Sequence, residues 1–284
     1  MTSSFAERGT MRGEILNVQH LSYGYPSGHL ALSDISLSIG SGERIAIMGS
    51  NGAGKSTFFL NLNGVLKAQS GEIYYQGTKI SGKELKELRR HVGFVFQDAD
   101  SQMIASTVQA EVAFGPMNLK LSRDEVEKRV TQALQYMDLQ SYRQRPPHYL
   151  SGGEKKRVSI ADIIAMQSEI ILFDEPTAAL DPLSADMLEQ VLADLSREGK
   201  TLLISTHDVN FAYRWAERIV VFDRGKILAD GNPLEVFLQE QVLEQAHLKK
   251  PEMLKVYETL SEQGLIEPES YPREAGELAK ALIG

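Results

Sequence analysis

The segment Gly49-Ser-Asn-Gly-Ala-Gly-Lys-Ser56 limits what this chain can become more than any other. It fits G-x-x-x-x-G-K-[ST], follows the apolar run Arg44-Ile-Ala-Ile-Met48, and precedes a helix-prone stretch over about 55–63. With glycine near 7% of residues in ordinary proteins, a chance match in a chain this long is roughly a one-in-a-hundred event. A strand, a glycine turn and a helix in that order let successive backbone N–H groups and the helix N-terminus converge on phosphate oxygens. The candidate phosphate cradle is therefore Gly49, Ser50, Asn51, Gly52, Ala53, Gly54, Lys55, Ser56 and Thr57. Lys55 is expected to reach the β- and γ-phosphates, and the Ser56 hydroxyl to take one Mg²⁺ position.

The rest of the chain fits around such a unit. Residues 15–20, 35–39, 44–48, 71–76 and 92–96 read as strands, with a charged helix over about 83–90. A helix opened by Ser122 and Glu125, which fit a capping box, carries apolar Val126, Val130, Leu134 and Met137 on one face, and Arg145-Pro146-Pro147 breaks it. Strand–helix alternation returns with strands at 170–173, 201–205 and 218–222 and helices over about 184–198 and 209–217. Alternation of this kind predicts an α/β fold with a parallel sheet covered on both faces. A mainly helical insertion, roughly 99–155, interrupts it. After a break at Gly231-Asn232-Pro233, residues 234–284 are charged and helix-prone, with an amphipathic helix expected through Val236, Phe237, Leu238 and Val242. No internal repeat is visible.

Composition narrows the class of function. The chain has 284 residues, 42% hydrophobic and 24% charged, enough for a sizeable core without covalent staples. It contains no cysteine, so disulfides, thiolate metal sites and a cysteine nucleophile are excluded. A net charge of −8 argues against wrapping nucleic acid. No segment approaches the roughly 18–20 apolar residues that span a bilayer. Residues 1–13 lack an apolar secretory core and are expected to form a flexible leader, with Met11 as an alternative start. The six histidines are scattered without ligand spacing, so a histidine-built metal site is not expected.

A second chemical signal lies at Ile170-Ile-Leu-Phe-Asp174-Glu175. Two carboxylates emerge from the C-terminal end of an apolar strand, where ligands gather in open α/β sheets. Alone, this is a strand followed by an acidic turn. Beside the phosphate loop, Asp174 suits a Mg²⁺ held partly through water, and Glu175 suits polarisation of an attacking water.

At Leu150-Ser-Gly-Gly-Glu154 a helix cap begins, in which Ser151 and Glu154 fit a capping box and Ile160, Ile163 and Ile164 follow on the buried side. Together with the phosphate loop, the acidic pair, Gln97 and His207, this order of motifs resembles the ATP-binding cassette ATPases over about residues 14–245. The resemblance implies a P-loop NTPase core of RecA-like parallel sheet, an antiparallel β subdomain and a helical subdomain, with 246–284 as a C-terminal helical extension. It implies ATP and Mg²⁺ as ligands. It makes Tyr25 the aromatic that stacks on adenine, with Tyr23 as rival. Gln97 becomes the residue that touches Mg²⁺ and relays the nucleotide state, and His207 the switch histidine at the γ-phosphate. Asp181, in Ala178-Ala-Leu-Asp181, would belong to a loop crossing a dimer interface. Ser151, Gly152 and Gly153 would act in trans on nucleotide held by a second ATPase subunit, identical or related. Glu154 stands where the family usually has glutamine, which leaves its nucleotide contact open.

The stretch from Phe96 to Gln102, followed by Glu111-Val-Ala-Phe-Gly-Pro-Met-Asn-Leu119, resembles the energy-coupling-factor importers, and within them the cobalt importer ATPase subunits. The resemblance implies a motor on the cytoplasmic face of the cell membrane, with a transmembrane coupling protein and a substrate-capture membrane protein as partners. The cargo would be cobalt or nickel first and a vitamin second. An exporter motor shares every catalytic motif and differs only in the stretch after Gln97. A soluble ATPase acting on ribosomes or DNA fits less well with a single cassette, an insertion of ordinary length and a negative net charge.

Overall fold

The computed structural model describes residues 13–99, 102–178, 180–267 and 271–283. Residues 1–12 of the expected leader, Asp100 and Ser101 after Gln97, and Ala179 before Asp181 lie outside the described residues. Among these residues, the strands are β1 (Glu14–Gly24), β2 (Leu30–Gly40), β3 (Arg44–Met48), β4 (Ser70–Tyr75), β5 (Thr78–Lys79), β6 (Val92–Val95), β7 (Ile170–Asp174), β8 (Thr201–Ser205), β9 (Arg218–Asp223) and β10 (Lys226–Gly231). They form two sheets. One is antiparallel in the order β2-β1-β4-β5; the other runs β10-β9-β3-β8-β7-β6. In the larger sheet every pairing from β9 through β6 is parallel, and only the β10 hairpin edge is antiparallel.

Side chains alternate across a strand, so a sheet buried on both faces must be apolar at every position. The inner strands β7 and β8 are buried throughout and apolar except at their ends, where Thr201, Asp174 and Ser205 stand. Ile170 and Leu172 join Ile45, Ile47, Leu203, Val220 and Phe222 on one face, which Phe58, Phe59 and Leu62 of α1 (Lys55–Leu62) and the antiparallel sheet cover. Ile171 and Phe173 join Ala46, Met48, Leu202, Ile204, Ile219 and Val221 on the other. That second face carries α5 (Gly152–Met166), α6 (Pro182–Arg197) and α7 (Val209–Trp215).

Between β6 and β7 the chain leaves the sheet. After α2 (Leu85–His91) and β6 come α3 (Val108–Asn118) and α4 (Arg123–Tyr136), and these pack with α5 as a helical layer. Ser122 caps α4 by accepting from the Glu125 N–H, but the reciprocal half of the expected box is missing because the Glu125 carboxylate accepts from Arg129 Nε at 2.7 Å. The box at α5 is complete, with Ile160 and Ile163 buried and Ile164 only partly so.

The C-terminal stretch departs from its expected form. Gly231-Asn232-Pro233 is a break because Asn232 opens a new helix with its own capping box, giving α8 (Pro233–Phe237) and then α9 (Glu240–Gln245) instead of one amphipathic helix. Val236 and Phe237 are buried, whereas Leu238 falls in the bend between the two helices and is exposed. Next come α10 (Glu252–Glu262) and α11 (Ala275–Ile283). Leu243, Leu254 and Tyr257 share the core of the sheet's second face, and Arg273 Nη1 donates to the Ala216 carbonyl at 2.9 Å. Burying a leucine fully is worth about 1.5–3 kcal/mol in transfer alone, and an unfilled cavity adds to the loss. Leu254→Ala should therefore lower unfolding free energy by about 2–5 kcal/mol in a urea titration, whereas a loss below about 0.5 kcal/mol would mean that α10 does not pack as described.

Candidate functional site

Three strand ends place the chemistry. Parallel pairing of β3, β8 and β7 brings residues 49–57, 174–175 and 205–207 to the same edge of the sheet. Gly49 and Gly54 adopt φ values of 140° and 108°, open to glycine at little cost. Packing tightens the requirement: a Cβ on Gly49 would lie 2.2 Å from the Phe222 carbonyl oxygen, and one on Gly54 would lie 2.7 Å from that of Ala31. Gly54 is also the N-cap of α1 and offers no side-chain acceptor, so the first N–H groups of the helix remain available to a ligand.

Lys55 is buried, and its Nζ donates to the Gly49 carbonyl at 2.8 Å and the Ser50 carbonyl at 3.2 Å. Burial pushes the ammonium below its usual value, while Glu175 and Asp174 pull it back up. Glu175 Oε1 lies 3.8 Å away. Asp174 accepts a hydrogen bond from the buried Ser205 hydroxyl. Glu175 has a left-handed φ of 43°, and its N–H is held by Ser205, with the carbonyl at 3.1 Å and Oγ at 3.0 Å. Its other carboxylate oxygen lies 3.0 Å from His207 Nδ1. An ionised carboxylate can only accept, so this contact needs the proton on Nδ1. Lys55, Glu175 and His207 thus form one chain of contacts, with Ser205 fixing the backbone beneath.

These groups border a cleft of about 450 Å³, lined by Tyr25, His29, Ala31, residues 51–57, Gln97, Glu175 and His207. Tyr25 donates to or accepts from Thr57 Oγ1 at 3.0 Å and is 37% exposed, whereas Tyr23 is 9% exposed and packed in the core, so only Tyr25 is at hand for a ring ligand. Gly49 and Ser50 sit behind the cleft and act through their carbonyls on Lys55. Ser56, Gln97 and Asp174 offer oxygen donors only, which suits a hard cation completed by water and phosphate oxygens. Among the described residues no group of three or more His, Cys, Asp or Glu could hold a metal.

Ser151, Gly152, Gly153 and Asp181 do not line this cleft. They form a second cluster at the starts of α5 and α6. Ser151 caps α5, and Glu154 Oε2 accepts the Ser151 N–H at 2.7 Å. That bond, then the Tyr142 hydroxyl, holds the Glu154 carboxyl below its usual range and turns it toward its own helix. Asp181 caps α6, accepting from the Ser184 N–H at 3.0 Å. Gly152 is open, whereas a Cβ on Gly153 would lie 2.8 Å from Ser184 Oγ.

Three residues of the site escape a reading of the sequence. His29 has no motif. Ser205 ends a strand whose middle, Leu202-Leu-Ile204, is wholly apolar, and that polar C-terminal position is its only signal. Lys156 is buried in α5 and donates through Nζ to the carbonyls of Phe96 at 2.7 Å and Gln97 at 3.0 Å. Burial lowers it to about 8 against the opposing pull of Asp174 and Asp98. Its signal is positional, because Lys156 stands four residues before Ile160, on the side of the helix that faces the core.

Comparisons with known proteins fit this geometry. A family model described as ABC transporter matches residues 32–178. The chain is 44% identical over 261 residues to the energy-coupling factor transporter ATP-binding protein EcfA2 of Methanospirillum hungatei, which covers 91% of this chain and 66% of that protein. It spans 66% of that protein's length and 60% of the length of a putative ABC transporter ATP-binding protein of Methanosarcina mazei. The solved structure of cbiO1 from Clostridium perfringens, described as part of the ABC transporter complex cbiONQ, matches with a TM-score of 0.73 at 38% identity, over 88% of this chain and 100% of that one. A dimeric cassette in a post-hydrolysis state bound to ADP and Pi matches with a TM-score of 0.70 at 32% identity, over 77% and 99%.

Removing one partner of a buried charge pair costs about 2–5 kcal/mol in binding, or roughly 30-fold and upward in affinity. Lys55→Ala should therefore weaken binding of a fluorescent adenine nucleotide by at least that factor in a direct titration. An unchanged dissociation constant would remove Lys55 from the phosphate site.

Proposed function

This chain belongs to the ABC transporter family, and from that premise we propose that it is the ATP-hydrolysing motor subunit of an energy-coupling-factor importer at the cytoplasmic face of the cell membrane. The fold agrees with the family: a RecA-like P-loop core, an antiparallel β subdomain and a helical subdomain. In this reading the cassette comprises 14–245, with its helical subdomain over about 99–155, and 246–284 form a C-terminal extension. The observation that carries the proposal is the contact chain from Lys55 through Glu175 to His207 along one cleft that runs from the phosphate loop to Tyr25.

The roles follow from chemistry. The N–H groups of residues 50–57 and the start of α1 take the phosphates, and Lys55 exchanges its carbonyl partners for β- and γ-oxygens. Ser56, Gln97 and Asp174 are the residues that would hold Mg²⁺, whose charge offsets that of the phosphates. Glu175, the base, orients a water for attack on the γ-phosphate, and His207 steadies both Glu175 and the terminal phosphate. Tyr25 takes the adenine ring. Ser151, Gly152, Gly153 and Asp181 lie apart from their own cleft, which supports completion of each site by a second ATPase subunit, identical or related. Apolar surface beside them fits such a partner: Tyr149 is 71% exposed and Leu183 81%.

A transmembrane coupling protein is the second partner. After Gln97, Ile104 in the loop before α3 is 70% exposed, and Phe114 and Met117 of α3 are also exposed. No helix among the described residues is long and apolar enough to cross a membrane, so passage belongs to that protein and selection to a substrate-capture membrane protein. Nucleic acid is no partner in this reading, and the chain does not bind the cargo, a cobalt or nickel ion.

Glu175→Gln should keep ATP affinity within about 3-fold, lower turnover by at least 10²-fold and trap an ATP-dependent dimer on gel filtration. Hydrolysis at the wild-type rate would remove Glu175 as the base. The same variant, tagged and purified from solubilised membranes, should bring down a small coupling protein and a capture protein containing cobalt or nickel. A bound vitamin in that fraction would replace the metal as cargo, and recovery with ribosomes instead would overturn the importer reading.

A further inference from the structure

Lys156 is a costly residue to find where it stands. An ammonium withdrawn from water is tolerated only when hydrogen-bonded and near opposite charge, and an apolar side chain would fill the core-facing side of α5 at no such cost. Here Nζ reaches past the helix to the carbonyls of Phe96 and Gln97 at 2.7 and 3.0 Å, with Asp174 and Asp98 near enough to oppose part of the cost of its burial. Lys156 does not line the nucleotide cleft, but Gln97 does. At the other end of the same short span, five residues earlier, Ser151 caps α5 beside Gly152 and Gly153. At a rise of about 1.5 Å per residue, roughly 7.5 Å of rigid helix separates the cap from the lysine.

We infer that Lys156 is a positioning residue that ties the first turns of α5 to the backbone at Gln97, so that a shift of the helix cap is transmitted to the wall of the chain's own cleft. The inference rests on the proposed function, in which that cap touches the nucleotide held by a second subunit. Under that arrangement each cleft senses the occupancy of the other through one ammonium and two carbonyls. A lysine present only for stability would leave communication between the clefts untouched.

The test uses the full-length chain and compares the wild type with Lys156→Met, Lys156→Arg and Glu175→Gln. ATP titrations give affinity, and steady-state hydrolysis against ATP concentration gives kcat, KM and the Hill coefficient. Lys156→Met should bind ATP within about 3-fold of wild type while kcat falls roughly 10- to 100-fold, the scale of a small misplacement of reacting groups. Its Hill coefficient should fall from a wild-type value above 1 to about 1. Lys156→Arg, which keeps donors for both carbonyls, should restore at least half of kcat and the cooperativity. If Lys156→Met is too unstable to assay, Lys156→Gln, with an amide donor in place of the ammonium, should lie between Met and wild type in both readouts. A folded Lys156→Met or Lys156→Gln with wild-type kcat and Hill coefficient overturns the inference, as does a wild type without cooperativity. Glu175→Gln separates the two levels: if it hydrolyses ATP normally, the mechanism beneath has failed rather than the role of Lys156.

Discussion

Everything chemical in this molecule depends on keeping opposite charges together at the closed end of a cleft. Lys55 and Glu175 are both buried, 3.8 Å apart, with Asp174 beside them. No one of these groups would tolerate that environment alone. The cluster exists only because parallel strands end at a common level. The register that sets Met48 near Val221 and Asp174 opposite Ser205 delivers the ammonium, both carboxylates and the serine beneath them to one place. A single residue of slip in β7 would turn Phe173 and Asp174 to the wrong faces, so the apolar alternation that forms the sheet also aims its charges.

That dependence explains why the centre of the site is legible in the sequence. Gly49 through Ser56 needs a strand before it and a helix after it, and Asp174-Glu175 needs a buried strand behind it. Each motif carries its own structural context within about ten residues. Where function rests on contacts between distant segments, the sequence is much less informative. Tyr23 and Tyr25 are equivalent in the sequence and differ only in which one the β1–β2 hairpin turns into the core. Lys156 looks like one charge among several in Glu154-Lys-Lys-Arg157, and only the approach of the Phe96–Gln97 backbone makes it unusual.

The fold shows the same division. The strands 44–48, 170–174, 201–205 and 218–223 are visible because burial on both faces makes their interior positions apolar, with polar residues only at their ends. β5 is two exposed residues, and β10 is an edge strand, partly exposed and ending in Ala229-Asp-Gly231; neither carries the alternation that marks a strand. After Asn232 the difficulty is different. Four apolar residues over 236–242 suit one helix, yet the bend at Leu238 and Gln239 divides them, with Val236 and Phe237 on one helix and Val242 on the next.

Gly153 has a consequence reaching beyond its own loop. Its missing side chain lets α5 and α6 begin in contact, with Ser184 filling the space a methyl group would occupy. Ser151 and Asp181, far apart in the chain, thereby cap helices that start side by side. A side chain at residue 153 would meet Ser184 and the Asp181 carboxylate together, and so would have to part the two caps to find room.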